Sequence, residues 1–74
     1  MKVKIYTTRF CGFCRAAKEL LTKKGIPFEE IPLDNDPKKR AQLSAQLQGY
    51  STVPMIFIDD TFIGGYSELI NYKL

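Results

Sequence analysis

Histidine and tryptophan are absent from the 74 residues, and cysteine occurs twice. Without histidine there is no imidazole to act as a general base or to ligate a metal. Tetrahedral zinc takes four ligands, mostly sulfur or nitrogen, so a closed site in this chain would need two carboxylates beside its two cysteines. No resident metal is expected. No apolar run approaches the roughly 18 residues of a membrane-crossing helix, and no charged-then-apolar leader opens the chain. The expected setting is cytoplasmic, with no membrane partner. Net charge is a mild +3, and Lys38-Lys39-Arg40 is the one basic cluster. That is too weak for a nucleic-acid footprint; the cluster reads as a solvated helix face or as a local site for a small anion. Linkers, repeats and low-complexity stretches are also missing. At this length, with 45% hydrophobic and 26% charged residues, residues 1–74 are expected to form one globular domain.

The two cysteines stand in Cys11-Gly12-Phe13-Cys14, between a strand-like run and helix-compatible sequence. The first turn of a helix has unpaired N–H groups and the positive end of its dipole, which favour a thiolate over a thiol. Two thiols at this spacing can close a small ring, an arrangement suited to thiol–disulfide exchange. Half of a zinc site, a structural disulfide and two inert buried cysteines are the plainer readings. A disulfide across so short a loop stabilises little, and in a reducing compartment such a pair is more often catalytic.

Taken in order, residues 2–7 read as a strand with Val3 and Ile5 on one face. Thr8-Arg9-Phe10 is a loop. Arg9 is placed to hold an anion or to stand as an ordinary surface arginine, and Phe10 to flank the site or cover the core edge. A helix over 12–24 puts Cys14, Ala17 and Leu21 on one apolar stripe. Cys14 is therefore expected to be buried and to resolve, Cys11 to face outward and attack. Gly25 and Pro27 end the helix. Residues 28–33 form a second strand, which Pro32 assigns to a sheet edge; the strand–helix–strand order implies a parallel pair with a right-handed crossover. Asp36 and Pro37 start a helix over 37–48, anchored by Leu43 and Leu47 and ended by Gly49. Met55–Ile58 and Thr61–Ile63 make a hairpin about Asp59-Asp60, Gly64-Gly65 break the strand, and Ser67 caps a short helix over 67–72 with Leu69 and Ile70 inward.

Tyr6-Thr7 before Cys11-Gly12-Phe13-Cys14, then Thr52-Val53-Pro54, then Gly64-Gly65-Tyr66-Ser67-Glu68 together resemble the glutaredoxins, in order and spacing, over almost the whole chain. The resemblance implies an α/β thioredoxin fold: a four-stranded mixed sheet flanked by three helices in the order β-α-β-α-β-β-α. It implies a cis Pro54, whose loop lies against the cysteines, and glutathione as reductant. Cys11 and Cys14 would be catalytic, Cys11 forming the mixed disulfide with glutathione. Arg9, Phe13, Arg40, Thr52, Val53, Pro54, Gly65, Ser67 and Glu68 would contact the tripeptide. Val53 would pair its backbone with the cysteinyl part, Ser67 and Glu68 would hold the γ-glutamyl end, and Arg9 or Arg40 would meet the glycine carboxylate.

The departures open other readings. Gly12-Phe13 replaces the Pro-Tyr of many dithiol members and is typical of monothiol members that hold iron–sulfur clusters. A dimer sharing a [2Fe-2S] cluster is thus an alternative to a monomeric reductase of disulfide-bonded or glutathionylated proteins. Ser67-Glu68 stand where paired aspartates are frequent, which leaves room for a redoxin recharged by thioredoxin reductase and serving ribonucleotide reductase. Thioredoxin itself fits less well, since no tryptophan precedes the motif.

Overall fold

A computed structural model of the chain describes residues 1–73. The strand β1 (Val3–Thr7) is buried on both faces, with Val3, Ile5, Tyr6 and Thr7 all out of solvent. Such two-sided burial belongs to a central strand covered above and below. The sheet order is β2-β1-β3-β4. β2 (Phe28–Pro32) runs parallel to β1 at the edge, where Pro32 leaves no ladder hydrogen bond unmade. β3 (Met55–Ile58) runs antiparallel to β1 on its other side, and β4 (Thr61–Gly64) completes the hairpin. This is the mixed four-stranded sheet of a thioredoxin-like fold, with three helices in the expected order.

The helices divide the core between two faces. α1 (Gly12–Lys23) and α3 (Tyr66–Ile70) cover one, where Ala17, Leu21 and Leu69 meet Val3, Ile5, Ile56 and Ile58. α2 (Pro37–Gln46) covers the other, where Leu43 packs with Tyr6, Leu33 and Met55. α1 ends as expected at Gly25, which takes φ +70° while the Ile26 N–H reaches back to the Leu21 carbonyl at 2.9 Å. α2 ends two residues before its expected limit. Gln48 already has φ +58°, and the Gly49 N–H closes the turn on the Ser44 carbonyl at 2.7 Å. Gly49 follows at φ +89°, so the left-handed turn includes the expected glycine but begins one position before it, at Gln48.

The hairpin turns on Asp59 and Asp60, both at positive φ (50° and 67°), the backbone of a two-residue primed turn. β4 carries a one-residue irregularity: Phe57 pairs with Phe62 but Ile56 with Gly64, leaving Ile63 unmatched. Three expectations for this end of the chain need correcting. Gly64 does not break the strand but is its last residue. The cap of α3 is Gly65 and not Ser67, because the Glu68 carboxylate turns back to accept the Gly65 N–H at 2.7 Å, the reciprocal half of a capping box. Leu69 packs inward, but Ile70 is exposed, since a helix of five residues buries only one stripe.

Gly64 sits at φ +122°, and a Cβ there would lie 2.5 Å from Glu68 Oε1 and 2.6 Å from its Cγ. Gly64→Ala should therefore lower unfolding free energy by roughly 2 kcal/mol or more. Gly12, at the start of α1, has open space for a Cβ, with nothing within 4 Å. Gly12→Ala should leave stability unchanged or raise it by up to about 1 kcal/mol. Urea titrations of the two variants check the contrast; equal effects would contradict it.

Candidate active site

The C-terminal end of β1 delivers the chain to the site. The Thr7 carbonyl accepts from the Leu33 N–H at 2.8 Å, and the Arg9 N–H donates to Asp34 Oδ1 at 2.8 Å, so the loop before the cysteines is tied to the loop after β2. Cys11 follows in extended conformation (φ −141°, ψ 106°) as the N-cap of α1. Its sulfur accepts the Cys14 N–H at 3.0 Å, taking the place that serine or aspartate oxygens usually fill. The same sulfur lies 3.6 Å from the Val53 carbonyl oxygen, and the Val53–Pro54 bond is cis, as the resemblance implies.

The two thiols, which are free, differ sharply in surroundings. Cys11 is part-exposed, and Cys14 is 1% exposed on the buried stripe of α1. Burial, and next the hydrogen bond with Cys11, push the Cys14 thiol up to about 12. The expected division, one sulfur reachable and one shielded, is present in the structure.

A groove of about 400 Å³ adjoins the site through Phe13 and through Val53, the residue whose carbonyl oxygen is 3.6 Å from the Cys11 sulfur. Phe13, Thr52, Val53, Pro54, Gly65, Ser67 and Glu68, all predicted contacts, line it together. Tyr50 and Tyr66 line it too and were not anticipated. Tyr66 stacks with Phe13 (ring centroids 6.0 Å apart, planes at 28°), and Tyr50 packs edge-on against Phe62 at 5.0 Å. Position offered a signal for both: one follows Gly64-Gly65, the other precedes Ser51-Thr52. Gly65 admits the Tyr50 hydroxyl, which lies 2.7 Å from where a Cβ would be. Hydrogen bonds from the Gly65 N–H and then the Ser67 hydroxyl hold the Glu68 carboxyl below the usual carboxylate range, so the groove carries a negative charge at neutral pH.

The two predicted arginines are not among the groove's lining. Arg40 donates from Nη2 to the Ser51 carbonyl at 3.0 Å, bracing the segment that leads to Thr52. Arg9 lines a second pocket together with Cys11, Cys14, Arg15 and Lys18. The two pockets thus differ in charge: an acid lines the groove, and cations line the pocket that holds the reactive sulfur. Among the described residues, no three of the Cys, Asp and Glu side chains gather into a metal-binding group.

At about pH 8, close to the free-thiol value, iodoacetamide should label Cys11 and spare Cys14 until the chain is unfolded. Peptide mass spectrometry checks this, and equal labelling of both in the folded protein would contradict it.

The glutaredoxin family model matches residues 3–63. A glutaredoxin of Pseudomonas aeruginosa is 48% identical over 67 residues, 90% of this chain and 79% of that protein. The crystal structure of glutaredoxin 1 from Francisella tularensis complexed with cacodylate superposes with a TM-score of 0.80 at 39% identity, over 95% of this chain and 88% of that one. The buckwheat glutaredoxin–glutathione complex superposes with a TM-score of 0.85 at 29% identity, over 93% of this chain and 64% of that one. With this fold, this pair of thiols and these relatives, the chain belongs to the glutaredoxin family and is a thiol–disulfide oxidoreductase.

Proposed function

We propose that the chain is a glutathione-dependent oxidoreductase that reduces glutathione mixed disulfides and protein disulfides. The observation that carries this reading is the groove that adjoins the site at Val53, with an acid at Glu68, together with the cation-lined pocket that holds the Cys11 sulfur. Glutathione is an extended tripeptide with an α-ammonium and an α-carboxylate at its γ-glutamyl end and a second carboxylate at its glycyl end. Laid with its sulfur on Cys11, it would bring the ammonium to Glu68 and the glycyl carboxylate toward Arg9. Val53 would pair with its backbone, and the Phe13–Tyr66 stack would shield it from water. Arg40 would act through Ser51, by holding the loop, and not by touching the tripeptide. The glutathione held by the related buckwheat protein supports the same ligand here.

In the first step, the Cys11 thiolate attacks the glutathione sulfur of a mixed disulfide, and the other thiol leaves. A second glutathione can then release reduced enzyme. Alternatively, Cys14 attacks Cys11, closing the intramolecular disulfide and freeing glutathione. No side-chain general base is needed for a Cys11 already held as the acceptor of the Cys14 N–H. The proposal includes a cytoplasmic setting, where thiols are kept reduced. Cluster carriage rests on Gly12-Phe13 alone. One chain offers a single accessible sulfur, whereas a [2Fe-2S] cluster takes about four thiolates, so two chains and two further thiols would have to share it.

The test is turnover with glutathione, glutathione reductase and NADPH. On a glutathionylated substrate, Cys11→Ser should abolish turnover and Cys14→Ser should preserve it. On a protein disulfide, both substitutions should abolish it. A wild type idle with glutathione but active with thioredoxin reductase would overturn the reading.

A further inference from the structure

The cation side of Cys11 contains a feature that the two-sulfur cycle leaves unused. The pocket there holds both cysteines with Arg9, Arg15 and Lys18, and no acid lines it. The three cations are not equivalent. Arg15 turns outward to Glu19 at 3.4 Å, in a pair that is mostly exposed. Arg9 is exposed on the loop before the helix. Lys18 stands one helical turn after Cys14, the spacing at which side chains of a helix are neighbours. Its Nζ lies 2.9 Å from Glu30 Oε2, on the edge strand β2. The Thr7 hydroxyl, buried at the end of β1, donates to the same oxygen at 2.7 Å. Lysine is ordinarily a charge on a flexible stem; here it is tied down by a carboxylate that the sheet itself holds. The Lys18 and then the Thr7 contacts keep Glu30 below the usual carboxylate range, so the tie is ionic at neutral pH.

Ring closure makes a demand at this spot. Cys14 must lose its proton, and its thiolate must attack the Cys11 sulfur. The Cys11–glutathione bond breaks as the Cys11–Cys14 bond forms, and the departing glutathione thiolate takes up a proton. The mixed disulfide is reduced, the dithiol is oxidised, and no other reductant enters. Burial opposes the charge on Cys14, and the groups around it are Cys11, Arg9, Arg15, Lys18 and, behind Lys18, Glu30. Once Cys11 is in a mixed disulfide it carries neither proton nor charge. Burial then remains opposed by the backbone hydrogen bond at Thr8 and next by Lys18, whose positive charge favours the Cys14 thiolate.

We propose that Lys18, anchored by Glu30 and Thr7, is a positioning residue for ring closure, holding a positive charge where Cys14 becomes anionic as it attacks the Cys11 mixed disulfide. The inference rests on the roles given above to Cys11 and Cys14, but not on glutathione. It assigns Lys18 to the dithiol branch, which reduces protein disulfides, and not to the release of Cys11 by a second thiol.

The test uses the full chain and dithionitrobenzoate, whose released thiolate is coloured. Stopped-flow absorbance should show two phases. The first scales with reagent concentration and reports attack by Cys11. The second does not, and reports closure by Cys14. Lys18→Met should slow the second phase about tenfold relative to the first and move its pH profile upward by about one unit, and Lys18→Arg should restore most of the rate. Phases that fall together, or a second phase with an unmoved pH profile, would overturn the assignment. A wild type that releases a single equivalent contradicts the two-cysteine cycle itself and this inference with it, whatever the coupled glutathione assay shows.

Discussion

A single hydrogen bond organises the site: the Cys14 N–H donating to the Cys11 sulfur at 3.0 Å. It makes the sulfur the cap of α1, so the start of the helix and the reactive atom are the same place. β1 brings the chain there from the middle of the sheet, and the pins from Leu33 and Asp34 fix the angle of entry. The helical turn that follows carries Cys14 under the surface. The Val53 carbonyl closes the arrangement from the other side. Removing the sulfur would therefore cost the helix its cap as well as the chemistry its nucleophile.

Much of this was legible in the residues. The spacing of Cys14, Ala17 and Leu21 identified the buried face of α1 and so separated the shielded cysteine from the reachable one. Pro32 identified the edge strand, and the double aspartate the hairpin turn. Patterning failed where the backbone is set by tertiary contact. Ser67 has the composition of a cap, but the chain leaves β4 at Gly64 with a backbone that only glycine readily adopts, and Glu68 then caps Gly65. Gln48 takes a left-handed conformation that its side chain does not advertise. Tyr50 and Tyr66 have no periodic signature, because a groove wall is built from residues far apart in the chain. The cis bond before Pro54 came from family resemblance, since composition alone favours trans.

The distribution of charge ties fold to function. The hydrogen bonds that start α3 also hold the Glu68 carboxyl, in the groove, below the usual carboxylate range. Lys18, in the other pocket, is held by a carboxylate on the edge strand. Arg40, which the motif pattern suggested as a ligand contact, braces the loop that leads to Thr52 and Val53. Structural contacts thus give two neighbouring pockets different charge, an acid in the groove and cations in the pocket that holds the two cysteines.

The most direct measurement is a crystal structure of the Cys14→Ser variant with glutathione joined to Cys11. The account predicts the tripeptide in the groove, its cysteinyl backbone paired with Val53, its ammonium end near Glu68 and its glycyl carboxylate toward Arg9. Glutathione lying wholly on the Arg9–Lys18 side, with the groove between Phe13 and Pro54 empty, would contradict it.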